Sequence, residues 1–138
     1  MKNTDTLWTA IMGGTSITLA YLLGGFDNLV AAFAIFMACD YVTGVMVGFK
    51  EKQVNSYRAF RGLAKKVGMI TFVIVANQLD IITGNSNGFL RDAMLMFLVA
   101  TEGISIIENL GKLGLRVPIF LVKALEQLSD KGEKGADQ

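Results

Sequence analysis

Four long apolar runs alternate with short polar segments along the chain. They cover residues 7–23, 29–49, 67–82 and 89–107. A helix needs about 20 residues to cross the hydrocarbon core of a bilayer, with about 17–25 as the usual range. The first, second and fourth runs fall in that range, and the third run reaches it when flanking residues are included. The period-2 alternation of a transmembrane strand is absent. The pattern predicts an all-α integral membrane protein with about four transmembrane helices within residues 1–115.

The basic residues lie mainly on one side of these spans. Of the 13 Lys and Arg residues, 12 lie before the first run, in residues 50–66 or after the fourth run, and only Arg91 lies near the other two turns. Cytoplasmic loops carry such an excess of positive charge. We therefore expect four spans with both termini cytoplasmic. A three-span topology is the alternative, because glycine and hydroxyl residues dilute the first run.

The segment after the fourth run has a different pattern. Residues 116–129 carry apolar side chains at helical spacing, with Pro118 near the start, which predicts an amphipathic helix. Residues 130–138 are polar, and we expect a solvated tail. The sequence leaves three positions open for the amphipathic helix: on the inner leaflet, against a second copy of the chain, or against its own bundle.

Composition agrees with a membrane protein and limits its chemistry. Apolar residues make up 52% of the chain and charged residues 18%, against about 25% charged in a typical soluble domain. The net charge of +1 indicates no nucleic-acid partner. Histidine is absent and Cys39 is the single cysteine, so we expect no disulfide framework, no metal site, no cofactor and no catalytic residue. Cys39 is interpreted as a small apolar side chain.

One acidic residue lies near the middle of the second run. A charge at this depth costs about 2.5–3.5 kcal/mol on insertion scales, and no basic residue is expected at the depth of Asp40. Its carboxyl is either protonated or hydrogen-bonded, with Thr43 as a candidate partner, or it faces a pore or a neighbouring subunit. Gly44 and Gly48 lie on the same helix face and allow another helix to approach closely. The assembly or pore candidates are Asp40, Gly44, Gly48 and Glu102.

The third and fourth runs form a predicted hairpin about the turn at residues 85–86. Asp80 and Arg91 lie at equal distances from this turn, so we expect them to form an ion pair at the outer end. Two lysines before the third run reach the level of two glutamates in the inner part of the fourth run and beyond it, and local pairing is expected there too. The hairpin ion-pair candidates are Asp80, Arg91, Lys65, Lys66 and Glu108, with Glu102 as the second glutamate.

Between residues 29 and 128 the chain resembles the phage lysis and toxin-secretion holins of Gram-positive bacteria and their phages. The matching elements, in order, are Asp40-Tyr41-Val42-Thr43-Gly44, Asn55-Ser56, Gly62, Lys65-Lys66, Asp80, the run from Glu102 to Leu110, and Gly111, Gly114 and Pro118. Thr101 and Asn55 depart from the family pattern, where Asn and Ser are frequent. The first span and the tail carry little of the resemblance.

The resemblance implies a holin, which is not an enzyme. Such a protein accumulates harmlessly in the inner membrane, then forms homo-oligomers and opens lesions that release an endolysin or a toxin. Its implied partners are the lipid bilayer, further copies of itself and an antiholin. Two other functions stay open: a small ion channel or transporter subunit that uses Asp40 and Glu102 as a relay, and a non-conducting membrane regulator of the antiholin kind.

Overall fold

The structure is a computed structural model that describes residues 2–136. Over this range the chain forms five α-helices and no strand, so the all-α prediction is confirmed. The helices are α1 (Lys2–Leu23), α2 (Asn28–Lys50), α3 (Ser56–Ile82), α4 (Phe89–Lys112) and α5 (Ile119–Ala136).

Short polar residues begin the second and third helices. The Asp27 carboxylate accepts a hydrogen bond from the backbone N–H of Val30 at 3.0 Å, and the Asn55 side chain accepts one from the N–H of Arg58 at 2.7 Å. Each satisfies an N–H that has no partner within its helix. Because these caps fix where α2 and α3 start, α3 begins 11 residues before the apolar run that predicted it.

Three helices are long and apolar enough to cross a membrane: α1 from Asn3, α2 and α4. These three candidate spans agree with a helical membrane protein and correspond to the first, second and fourth predicted spans. With 27 residues α3 is also long enough, but its first half carries four basic residues, which keep it out of this class: Arg58, Arg61, Lys65 and Lys66. A fourth span through α3 therefore stays a prediction.

The bundle is organised around α4, which packs against α2, α3 and α5. One cluster of buried apolar side chains joins α2, α3 and α4: Val30, Phe33, Met69, Val73, Leu95, Leu98 and Val99. Val73 and Leu95 are fully buried. By contrast, residues 3–19 of α1 are exposed along their whole length, and α1 meets the bundle near its C-terminal end.

The fifth helix runs antiparallel to α4 and lies directly on it. Leu125 lies against Gly103 near the middle of α4, and Gly135 lies against Ala93 in its first turns. Of the three positions left open by the sequence, the chain thus takes the one against its own bundle. The helix also continues to Ala136, so most of the predicted polar tail is helical. Residues 137 and 138 of that tail lie outside the described residues.

Candidate functional site

The helices alternate in direction, which gives the bundle two distinct ends. The α1–α2 and α3–α4 turns meet at one end, here called the turn end, where Arg91 of α4 donates to the carbonyl of Gly25. The α2–α3 connection lies at the other end, here called the basic end. There the Lys50 ammonium donates to the Lys112 carbonyl at 2.7 Å. Two groups of polar side chains lie inside the bundle, one near its middle and one at the turn end.

The first group lies where α2, α3 and α4 face one another near their middles. The ammonium of Lys66 on α3 pairs with the Asp40 carboxylate on α2 at 2.9 Å and with the Glu102 carboxylate on α4. The Glu102 side chain is only 2% exposed, and those of Lys66 and Asp40 are 12% and 18% exposed. One lysine therefore joins three helices by bridging two carboxylates.

An asparagine completes this group from further along α4. The Asn109 amide donates to the second oxygen of Asp40 at 3.2 Å and to the Thr43 hydroxyl at 3.1 Å. Thr43 donates in turn to backbone carbonyls of α2 rather than to the Asp40 carboxylate. We call Asp40, Thr43, Lys66, Glu102 and Asn109 the central cluster.

The expectation that Asp40 lacks a basic residue at its depth is wrong. The sequence placed Lys66 outside the third span because the apolar run starts at residue 67. In the structure α3 starts at Ser56, so Lys66 lies well inside the helix, and its long side chain reaches both acids. The predicted meeting of Lys66 with Glu102 does occur. Asn109 was missed as a partner of Asp40, although the motif that contains it was noted.

The central cluster does not have matched charges. Two carboxylates share one ammonium, and removing one partner of such a buried group leaves an uncompensated charge that typically costs about 3–5 kcal/mol. A buried ion pair is weak evidence of added stability, because apolar residues of similar volume often do as well. What the cluster does provide is one defined arrangement of three helices, which is lost if Lys66 changes partner.

An open cleft lies beside the central cluster, between α2 and α3. Its volume is about 300 Å³, and Asp40, Gly44 and Gly48 form part of its α2 wall. A β-carbon at Gly44 would meet Asn109 at 3.7 Å, which is ordinary contact, and one at Gly48 would meet Val54 at 3.3 Å. The three assembly candidates of α2 thus share one wall of a cleft that α3 does not fill.

The second group lies at the turn end and centres first on Asp80. Its carboxylate accepts hydrogen bonds from the backbone N–H groups of Leu90 at 3.1 Å and Arg91 at 2.8 Å, and from the Asn85 amide at 2.9 Å. Asp80 therefore caps the N-terminus of α4, where unpaired N–H groups favour a negative charge. The two residues do meet, as the hairpin predicted, but through the backbone of Arg91 rather than as a side-chain ion pair.

The Arg91 guanidinium is directed instead towards the α1–α2 turn. It donates to the carboxylates of Asp27 and Asp92, both at 2.7 Å, and to the carbonyls of Leu23 at 2.5 Å and Gly25 at 3.3 Å. The Arg91 side chain is only 5% exposed. These bonds satisfy carbonyls at the end of α1 that have no partner within the helix.

Asn77 of α3 holds the same end of α1. Its amide donates to the carbonyls of Tyr21 and Leu22, both at 3.1 Å. Gly24, which has φ +75°, lies so close that a β-carbon there would overlap Asn77 and Arg91. We call Asp27, Asn77, Asp80, Asn85, Arg91 and Asp92 the turn cluster. Sequence reasoning missed Asn77, although an amide side chain inside an apolar run was a signal.

Two of the predicted ion-pair residues have other surroundings. Among residues 2–136, the ion pairs include neither Lys65 nor Glu108. Successive residues of a helix point about 100° apart, so Lys65 cannot follow Lys66 into the three-helix contact. Lys65 lines the cleft between α2 and α3 instead.

Asp27 lies outside the apolar helices, and its ionisation is coupled to the turn cluster. The hydrogen bond from Arg91 lowers the pKa of the Asp27 carboxyl below its ordinary value, and partial burial opposes this less strongly. The charged form of Asp27 is therefore the one that this end of the bundle stabilises.

Comparison with known proteins identifies the family of this chain. Residues 17–130 match the profile of the bacteriophage holin family, which is well over half of the chain. The chain belongs to the bacteriophage holin family. Both polar clusters fall inside the matched residues. Members of this family are pore-forming membrane proteins without enzymatic activity, so this holin is not an enzyme.

Individual relatives agree with this assignment. A protein of Bacillus phage phi105 named "Probable holin" is 35% identical over 119 residues, which cover 86% of this chain and 87% of the phage protein. An uncharacterised protein of Clostridium perfringens is 36% identical over 118 residues, 86% of each chain. One from Listeria innocua is 36% identical over 108 residues, 78% of this chain and 76% of the relative. No solved structure matches the chain.

Proposed function

We propose that this holin oligomerises in the bacterial cytoplasmic membrane and forms lesions that release an endolysin or a toxin at a set time. The observation that carries the proposal is the central cluster beside an open cleft. A buried side-chain network that joins three helices gives one stable arrangement in the single chain, and the cleft gives a neighbouring chain access to the same side chains.

The proposal includes a topology with four spans. We place the N-terminus and the basic end in the cytoplasm, since 12 of the 13 Lys and Arg residues precede the first apolar run, lie in residues 50–66 or follow residue 107. In the newly inserted chain the C-terminus is cytoplasmic as well. In this topology α3 crosses the membrane with Lys66 neutralised inside the bundle by Asp40 and Glu102, which lowers the cost of burying this lysine.

The proposed opening step is an exchange of partners at the α2 wall of the cleft. Gly44 and Gly48 leave room for a helix of a second copy to approach α2 closely. That approach brings polar groups of the neighbour to Asp40, so Lys66 no longer holds α2 to α3. Glu102 lies deeper in the bundle and keeps its lysine. An antiholin acts, in this scheme, by occupying the same wall without opening.

Expression in a bacterium tests the proposal. We expect sudden entry of a membrane-impermeant dye and release of a co-expressed endolysin, because a lesion passes both. The Gly44→Leu variant, which fills the α2 wall, is expected to insert normally and to delay or abolish both signals. Ion or proton flux through membranes that exclude dye and retain the endolysin would instead favour a small channel. Intact membranes without flux would favour a regulator.

A further inference from the structure

The C-terminal helix makes an unusually close contact with α4. A β-carbon at Gly132 would lie 2.7 Å from the Ala93 carbonyl oxygen and 2.7 Å from the Phe97 amide nitrogen, closer than real β-carbons approach. Gly135 lies one turn further on, against Ala93 and Phe89. Two glycines thus let α5 lie on the backbone of α4, in the segment of α4 next to the turn end.

The opposite face of α5 is charged from Lys123 to Lys134. Three acidic and three basic side chains are exposed there, so the face has no net charge: Lys123, Glu126, Asp130, Lys131, Glu133 and Lys134. The apolar face carries Leu125 and Leu128, which lie against Gly103 and the buried core. The helix therefore presents its charges away from the bundle.

These two observations conflict with a lipid environment around α5. It lies beside α4 from Gly103 to Phe89, and α4 is long and apolar enough to cross a membrane. A charged side chain near the bilayer centre costs about 2.5–3.5 kcal/mol on insertion scales, and beside this segment of α4 the fifth helix exposes five charges, from Glu126 to Lys134. Polar faces at membrane depth are tolerated where they face water.

We infer that α5 lines the water-filled lumen of the lesion, with its charged face towards the water and its glycine face on α4. This inference rests on the proposed lesion-forming function. In the newly inserted chain α5 is on the cytoplasmic side; as subunits assemble and water enters, it folds back along α4. In the structure α5 lies along α4 while Lys66 is still paired with Asp40, so the fold-back does not require the exchange of partners at Asp40. Residues 130–136 then reach the turn end. The charged face of α5 is thereby the surface that passing ions and cargo meet.

A disulfide tests the fold-back directly. A β-carbon at Gly135 would lie 3.0 Å from the Ala93 β-carbon, close to the spacing of about 3.5–4.5 Å in disulfides. With Cys39 replaced by alanine, the pair Ala93→Cys and Gly135→Cys is expected to form an intrachain bond on oxidation of membranes from lysing cells. A protease site in residues 113–118 reveals the bond on gels. The matched pair Ala93→Cys and Leu121→Cys, with Leu121 near the other end of α5, is expected to stay reduced.

Accessibility to water tests the lumen. In the same background, Asp130→Cys on the charged face is expected to react with an impermeant thiol reagent added outside cells, but only after dye entry begins. Leu128→Cys, on the face towards the bundle, is expected to stay unreactive. Absence of the intrachain disulfide, a bond found only between chains, or an unreactive Asp130→Cys would each overturn the inference. If dye still enters the cells in those cases, the lesion-forming function stands, but α5 does not line the lumen. If dye never enters, that function itself fails.

Discussion

The central cluster and the turn cluster both hold buried charges inside an apolar bundle, but they are bonded differently. In the turn cluster, Asp80 accepts from two backbone N–H groups and Arg91 donates to two backbone carbonyls. In the central cluster, Lys66 reaches only side chains, and these belong to two other helices. The turn cluster bonds to backbone groups, whose positions are fixed by the path of the chain. The central cluster bonds to side chains, and the same side chains on a second copy of the protein can take their place.

This difference separates a structural role from a role in switching. Backbone partners near a turn move only if the turn unfolds, so the turn cluster fixes how α1 ends and α4 begins. Side-chain partners on separate helices can be exchanged while each helix stays folded, and the open cleft gives a neighbouring chain a route to them. We expect substitutions in the turn cluster to affect folding, and neutral substitutions in the central cluster to affect timing.

The largest effect is expected for Arg91→Met. It removes four hydrogen-bond contacts and leaves carbonyls at the end of α1 without partners. Loss of one partner from a buried charged group typically costs about 3–5 kcal/mol, so little protein should accumulate in the membrane fraction. Arg116→Met, at an exposed position in the α4–α5 connection, is the matched control and should accumulate normally. Normal levels for both variants would show that the turn cluster is dispensable.

Lys66→Met sharpens the comparison between the clusters, because neutral substitutions of its two acidic partners can compensate for the loss of the lysine. Alone it leaves two buried carboxylates without their cation, with a cost of the same order, about 3–5 kcal/mol. The neutral triple variant Asp40→Asn, Lys66→Met, Glu102→Gln should recover accumulation but not the normal time of dye entry.

The equivalent neutral triple at the turn end is Asp27→Asn, Arg91→Met, Asp92→Asn. It should not recover accumulation, because the backbone carbonyls of Leu23 and Gly25 still lack a donor. Immunoblots of membrane fractions check both triples. Equal recovery in the two cases would remove the distinction between the clusters.

The sequence predicted some of these contacts and not others. The helices, the hairpin and the meeting of Lys66 with Glu102 follow from apolar periodicity and from distance to the turn. The contact of Lys66 with Asp40 does not, because an apolar run marks where lipid-compatible residues begin, whereas the Asn55 cap decides where α3 begins. A lysine at the edge of a run therefore looks external even when it lies inside the bundle.

The backbone contacts were hidden for a related reason. Equal distances from a turn place Asp80 near Arg91, but they do not distinguish the guanidinium from the N–H of the same residue. Likewise, the periodicity of α5 identifies its apolar face but not the surface that covers it. Gly132 and Gly135 were a sequence signal for a close contact, but they lie in a segment whose composition suggested a solvated tail.

A smaller effect, on timing alone, is expected from filling the α2 wall of the cleft. Gly48→Leu should contact Val54, since even a β-carbon there lies 3.3 Å away, and it should hinder the approach of a second helix. Gly68→Leu on α3, with nothing within 4 Å of its β-carbon position, is the matched control. Dye entry should be delayed in the first variant and unchanged in the second, with equal protein levels. Equal delays would indicate a general effect of bulk in the membrane rather than of the cleft.

The smallest effect is expected at Asp27, whose carboxylate is about half exposed. Because the hydrogen bond from Arg91 lowers its pKa in the folded chain, this contact stabilises the fold above the ordinary pKa of aspartate. The contribution is lost as the pH falls through the lowered value. Thermal unfolding in detergent should therefore show a stability that declines in acid, and Asp27→Asn should flatten that part of the decline. Asp5→Asn, at an exposed position in the first turn of α1, is the matched control for the change from aspartate to asparagine. An acid limb that is identical in the wild type and in Asp27→Asn would mean that Asp80 and Asn77 hold the turn end without help from this carboxylate.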